Sequence, residues 1–248
     1  MPEGPIIVIL KEELQLFKHQ KVVAAKGYTT KFDPHLLKGQ TLTNIKSWGK
    51  HLLLVFTDFT VRVHLMLFGS YRINSRGKNN ASLSIQFENG EVNFYISSVV
   101  LIDKPLNEVY DWSADVMSKK WDTEKAIVKL KARPKALAGD VLLDQKIFSG
   151  VGNIIRNEAL FRARVHPNSI IGDMPEDKIA ELIQHTISYT FDFLKWKKKG
   201  TLRKNFEAYE QDMCPRDHIP FHKADLGKTK RHTYYCNVCE QLYVKGEQ

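Results

Sequence analysis

The chain has 248 residues and 43% of them are hydrophobic, enough to bury the core of one large or two modest domains and too many for a disordered chain. No run approaches the ~18 consecutive apolar residues of a membrane-spanning helix, and the apolar stretch 6–10 follows Pro2 and Glu3 with no basic segment or small-residue cleavage site, so an intracellular chain is expected rather than a secreted one. Lys and Arg outnumber Asp and Glu by 37 to 28, a net charge of +9, and a polyanion such as nucleic acid is the partner that best uses that field.

In chain order, residues 7–17 carry apolar side chains at helical spacing. Residues 52–56 and 61–65 read as two strands joined by a turn at 57–60. Residues 83–87 alternate strictly, Asn89-Gly90 is a hairpin turn signal, and 92–96 resume the alternation. Residues 1–110 therefore form a β-rich domain, and 111–121, with few periodic apolar positions, are expected to be a linker. Beyond it the period becomes helical: Ala126, Ile127 and Leu130 share one face, and helices are expected over 137–145, 154–163 and 179–194. The segment 195–204 is strongly basic and suits either a solvated loop or a run along phosphates. The organisation expected is α+β: a domain over 1–110, a linker over 111–121, a helical domain over 122–205 and a terminal module over 206–248.

Three groups of residues carry chemistry. The only cysteines are Cys214, Cys236 and Cys239. An odd number clustered at one end argues against disulfides and for a metal. Cys236 and Cys239 form a C-x2-C knuckle that aims two thiolates at one tetrahedral ion, and Cys214 with His218 offers the other half. Asp217 stands where a second knuckle would place its cysteine and His222 is close, but zinc prefers nitrogen and sulfur at structural sites, which favours His218. Nothing implies an open coordination position, so one structural zinc is expected.

The second group is Gly150-Val151-Gly152-Asn153, a turn between two helical patterns that opens the second helix. Backbone N–H groups at a helix start receive phosphate, and the Asn153 amide adds a donor. A plain packing corner uses the same glycines. The third is Met1-Pro2-Glu3-Gly4-Pro5. Removal of Met1 would expose the secondary amine of Pro2, and an α-amine with a pKa near ~8 is partly unprotonated at neutral pH. Such an amine can attack an electrophilic sugar carbon, with Glu3 moving protons.

Taken in order, Met-Pro-Glu-Gly-Pro, then residues 142–167 around Gly-Val-Gly-Asn, then the cysteine cluster resemble the formamidopyrimidine-DNA glycosylase and endonuclease VIII family over the whole chain. The resemblance implies an N-terminal β-sandwich with flanking helices and a helical domain bearing a helix–two-turn–helix element and a β-hairpin zinc finger, with DNA in the cleft between domains. It makes Pro2 the nucleophile, Glu3 the proton-transferring carboxylate, and Lys50, Asn153 and Arg231 the contacts to phosphates around a flipped nucleotide. It also makes Met66-Leu67-Phe68 the wedge that fills the gap in the stack, Leu67 foremost; the bland alternative puts Met66 and Phe68 in a hairpin core.

The function implied is that of a bifunctional DNA glycosylase and abasic-site lyase of base excision repair. It would form a Schiff base through Pro2 and cut by β,δ-elimination. The Met-Leu-Phe triad, Gly4 after Glu3 and the short stretch from Gly200 to Cys214 resemble the endonuclease VIII branch and favour oxidised pyrimidines. Ile6, where both bacterial branches usually have glutamate, and the C-x3-H half of the finger depart from those branches and resemble some animal Nei-like enzymes, a resemblance that extends the expected substrates to single-stranded or bubble DNA. The alternatives are a formamidopyrimidine or 8-oxoguanine glycosylase and a non-catalytic binder of damaged DNA. The expected partner is damaged double-stranded DNA, with no membrane, for a monomer in the cytoplasm or nucleoid if the chain is bacterial.

Overall fold

A computed structural model describes residues 2–245, which divide into two units between Tyr110 and Asp111. No helix among the described residues is long and apolar enough to cross a membrane.

The first unit opens with α1 (Gly4–Glu13), which Glu3 enters in extended backbone and Pro5 suits, since a proline in the first turn leaves no helical hydrogen bond unmade. The 7–17 pattern splits at its end: residues 14–17 tighten into a 3-10 turn that still buries Leu14 and Phe17. Six strands follow, β1 (Val22–Lys26), β2 (Asn44–Trp48), β3 (His51–Val55), β4 (Thr60–Ile73), β5 (Leu83–Phe87) and β6 (Gly90–Ile102). They form one antiparallel sheet in the order β1-β5-β6-β4-β3-β2. A single core takes side chains from β1 and β5 at one end, from β2 and β3 at the other, and Ile7 and Leu10 of α1. The structure thus shows one six-stranded sheet with α1 packed into its core, where a sandwich was expected. The short α2 (Leu106–Val109) ends the unit.

In the second unit, residues 111–121 are not a free linker. Ser149 N–H donates to Ala114 O at 2.7 Å, Val116 N–H donates to Ser149 O at 3.3 Å, and Lys129 pairs with Asp111 at 2.8 Å. Buried backbone needs partners, and the turn at Ser149 supplies them. α3 (Thr123–Lys131) starts on Asp122, whose carboxylate accepts Lys125 N–H at 3.0 Å. The 137–145 pattern yields only the one-turn α4 (Ala138–Val141), followed by turns whose Asp144 side chain accepts Lys146 N–H at 2.8 Å. α5 (Asn153–Ala163) and α6 (Glu176–Lys198) pack against each other, and β7 (His222–Leu226) pairs with β8 (Arg231–Tyr235) in a hairpin.

Candidate active site and metal centre

Pro2 is half-buried at the mouth of α1, and the Glu3 side chain beside it is completely buried at the helix start. A carboxylate removed from water costs free energy unless its surroundings stabilise it.

Lys50 sits in the tight turn joining β2 to β3. Trp48 and His51 pair across that turn, which requires Gly49 at φ 52°. The turn is braced by rings: Trp48 lies 4.9 Å from Tyr110 and 5.6 Å from His51, and the Tyr110 hydroxyl lies 3.2 Å from His51 Nδ1. Burial above all, and then Arg62, His64 and Lys50, push the His51 pKa down to about 3, so the imidazole holding this turn is neutral. His64 stands edge-on to His51 at 5.1 Å, and burial, Lys50 and Arg62 lower its pKa too. His64 and Arg62 were not singled out from the sequence. The signal was there in the alternation of 61–65, which puts Val61, Val63 and Leu65 in the core and leaves Arg62 and His64 on the other face.

Met66, Leu67 and Phe68 are 46%, 47% and 76% exposed, so the core alternative does not hold for them. The register explains why. Between the pairs Leu65↔Ser97 and Ser70↔Tyr95, residues 66–69 of β4 face Ile96 alone on β6, and the surplus bulges outward. Gly69 is required at its end, since a Cβ there would lie 2.7 Å from Met66 N and 2.8 Å from Ile96 O. Ile96 itself has φ 48°, a costly conformation for a β-branched residue.

In the second unit, α5 is laced to β8. Asn153 Nδ2 donates to His232 O at 2.9 Å, Arg156 donates to the Thr233 hydroxyl, and Tyr234 N–H donates to Asn157 Oδ1 at 2.8 Å. Positions 153, 156 and 157 lie on one helix face and meet three successive strand residues. Arg231, half-buried, pairs with Leu226 at the tip end of the hairpin. The tip is pinned by Asp140, which accepts Lys228 N–H at 3.1 Å and sits where a side chain at Gly227 (φ 75°) would have to go. Asn153 and the Arg231 strand are thus held by one network. Glu158, on the same helix, accepts the N–H groups of Glu207, Ala208 and Tyr209 at 3.1, 3.0 and 2.8 Å, and burial lifts its pKa to about 7.

The cysteines converge with Asp217, all four ligand atoms lying within 4.8 Å of one another. The Cys214 and Cys239 sulfurs are 3.8 Å apart, matching the ~3.8 Å of two thiolates bonded at ~2.3 Å to one tetrahedral zinc. Asp217 Oδ2 lies 3.1 Å from Cys236 Sγ and 3.4 Å from Cys214 Sγ. The structure groups Asp217, and not the expected His218, with the three sulfurs. A knuckle turns its first and fourth residues inward, and Asp217 is the fourth residue from Cys214, as Cys239 is from Cys236. His218 falls one place later, where its N–H donates to Cys214 O at 2.9 Å and its φ of 55° carries the chain away. His222 is engaged elsewhere, 3.0 Å from the Asn237 amide and stacked on Tyr235. Arg216 braces the group, donating to Phe161 O at 2.7 Å with its guanidinium 3.9 Å from the Phe161 ring.

Two family models match the chain, the N-terminal domain of formamidopyrimidine-DNA glycosylase over residues 1–97 and the H2TH domain of the same family over residues 113–203. Endonuclease 8-like 3 of Xenopus laevis is 32% identical over 218 residues, 83% of this chain and 35% of that protein, so the chain spans about a third of that relative's length. The formamidopyrimidine-DNA glycosylase of Oceanobacillus iheyensis is 27% identical over 99% of this chain and 92% of its own. Among solved structures, a viral DNA glycosylase superposes with a TM-score of 0.84 at 22% identity, covering 96% of this chain and all of that one. The Lactococcus lactis formamidopyrimidine-DNA glycosylase bound to abasic-site DNA gives 0.84 at 23%, covering 96% and 99%. With both family domains matched in order, the chain belongs to the formamidopyrimidine-DNA glycosylase family, on its endonuclease VIII-like side.

Proposed function

We propose that the protein is a bifunctional DNA glycosylase and abasic-site lyase that removes oxidised bases, pyrimidines foremost, from damaged DNA. The observation that carries this reading is the pairing of a half-buried Pro2 with a fully buried Glu3 at the start of α1. A carboxylate beside the chain's first secondary amine, shut away from water, suits proton transfer and gives the core nothing.

Once Met1 is removed, the Pro2 nitrogen attacks C1′ of the damaged nucleoside. The glycosidic bond breaks and the base leaves. Glu3 donates a proton to the ring oxygen as the sugar opens, leaving an iminium between Pro2 and C1′. Loss of the 3′ and then the 5′ phosphate by β- and δ-elimination removes the sugar. In the first unit Lys50 supplies a cationic contact for phosphate; in the second, Asn153, the start of α5 and Arg231 supply N–H and cationic contacts. Leu67 and its neighbours, held outward on a strained bulge, fill the space of the extruded base.

The segment 206–213 is tied to Glu158 by three backbone bonds. Such a short, tethered connection supports pyrimidine lesions over purines that need a closing loop. Cys214, Asp217, Cys236 and Cys239 would hold one zinc, which ties the hairpin's base together and takes no part in the chemistry. The partner is double-stranded DNA, with single-stranded and bubble substrates within reach of a monomer. The test is incision of an oligonucleotide bearing thymine glycol against one bearing 8-oxoguanine. Faster cleavage of the first, leaving phosphate at both ends of a one-nucleotide gap, is expected. Intact strands from both would reduce the protein to a binder of damage.

A further inference from the structure

A cavity away from Pro2 and Lys50 in sequence lies on the β1 edge of the sheet. It holds about 450 Å³ and is lined by Lys26, Tyr28, Lys78, Asn79, Asn80 and Tyr95, among others. A second cavity of about 290 Å³ shares Lys26 and Arg76 with it and adds Lys38. No carboxylate lines either. Arg76 is held by Glu91 at 2.6 Å, so Lys26, Lys38 and Lys78 set the sign of the groove.

Tyr28 is the unusual member. It is 55% exposed, yet its hydroxyl is fixed: Ser82 Oγ donates to it at 2.9 Å, and Ser82 Oγ in turn accepts Ser97 N–H at 3.0 Å. Gly27 before it packs so closely on Ser82 that a Cβ would lie 2.2 Å from Ser82 O. The ring is therefore an exposed apolar plate with no freedom to fold away, so it pays little entropy on receiving a partner. On the floor, the Tyr95 hydroxyl accepts Gly77 N–H at 2.7 Å and anchors the loop that carries Lys78, Asn79 and Asn80.

A fixed aromatic plate, side-chain amides and lysines with no opposing carboxylate are the parts of a single-strand binding groove. The ring stacks a base, the amides meet its polar edge and the lysines take the phosphates on either side. We propose that this β1-edge groove binds an unpaired nucleotide of a DNA strand, with its base on Tyr28 and its phosphates on Lys26 and Lys78. The site is separate from the catalytic residues and its occupancy needs no lesion.

The probe is fluorescein-labelled deoxythymidine decamer, followed by anisotropy across a salt series, with thymidine monophosphate as competitor. Tyr28→Ala is expected to weaken binding about tenfold, and Tyr28→Phe, which keeps the ring but loses its hydroxyl anchor, to lose clearly less. Lys26→Gln with Lys78→Gln should flatten the salt slope by about 1.4. A decamer carrying 5-iodouracil should crosslink to the peptide containing Tyr28. Borohydride trapping on an abasic duplex should be unchanged in all variants, which keeps this outcome apart from the lyase reading. Unchanged affinity in Tyr28→Ala, equal loss in Tyr28→Ala and Tyr28→Phe, or crosslinks confined to other peptides would overturn the proposal. Displacement of the decamer by micromolar thymidine monophosphate would reassign the groove to free nucleotides and overturn it as well.

Discussion

The N–H of Tyr234 donates to Asn157 Oδ1 at 2.8 Å, and the same Asn157 side chain donates from Nδ2 to Asn153 O at 2.8 Å. One buried amide thus joins the first turn of α5 to the strand that begins with Arg231. Truncation to Asn157→Ala leaves the Tyr234 N–H without this acceptor and should cost about 1–3 kcal/mol. Denaturant unfolding would measure it. Because the cut loosens the register of Asn153 against β8, affinity for DNA should fall beyond the loss of folded protein. A variant that is destabilised but binds DNA with wild-type affinity would show that the lacing serves stability alone.

Glu158 makes stability depend on pH. Burial holds its folded pKa near 7, above the ordinary 4.5, so the folded protein binds this proton more tightly than the unfolded chain. Its contribution is therefore complete below about pH 4.5 and declines as pH rises towards 7. Relative to Glu158→Gln, the wild type should lose on the order of 3 kcal/mol between pH 4.5 and 8. Unfolding curves of both proteins at four pH values test this, and a gap that stays constant with pH would refute it.

Substitution of Cys236 by serine should abolish metal binding and melt the hairpin, since metal-site free energy is folding free energy. Cobalt titration separates the fourth ligand. Asp217→Ala should weaken cobalt binding and alter its d–d bands, whereas His218→Ala should keep both. The reverse pattern would return His218 to the metal.

Leu67→Ala should leave thermal stability unchanged, because the side chain is half exposed. On duplex substrates it should slow excision about tenfold or more, as the unstacked gap costs a few kcal/mol to hold open. On a single strand, which has no stack to fill, the same variant should cut at the wild-type rate. Equal losses on both substrates would assign Leu67 another role.

Much of this was legible in residue order. The alternation of 83–87 and 92–96 around Asn89-Gly90 predicts the hairpin found, and the helical spacing of 179–194 lies within α6. What periodicity could not carry is the exception to it. The pattern of 61–65 gives no warning that β4 stops pairing at Leu65 and spends four residues against Ile96, because the cause lies on the partner strand. The 137–145 pattern is amphipathic enough for a helix, but the Asp140 and Asp144 side chains bind backbone N–H groups elsewhere, and one turn remains. The cysteines announced a metal, while the fourth ligand depended on which way the chain turns after Asp217. His51 and Tyr110, far apart in sequence, offered no local sign that they brace Lys50.

The most direct measurement is borohydride trapping on a duplex with one abasic site, using Met1-processed, metal-loaded protein beside Pro2→Gly and a form with an uncleaved N-terminal tag. A covalent protein–DNA adduct from the native chain, lost or strongly reduced in both controls, is expected if Pro2 is the nucleophile. No adduct from the native chain, or equal adducts from all three, would contradict a Pro2 Schiff base.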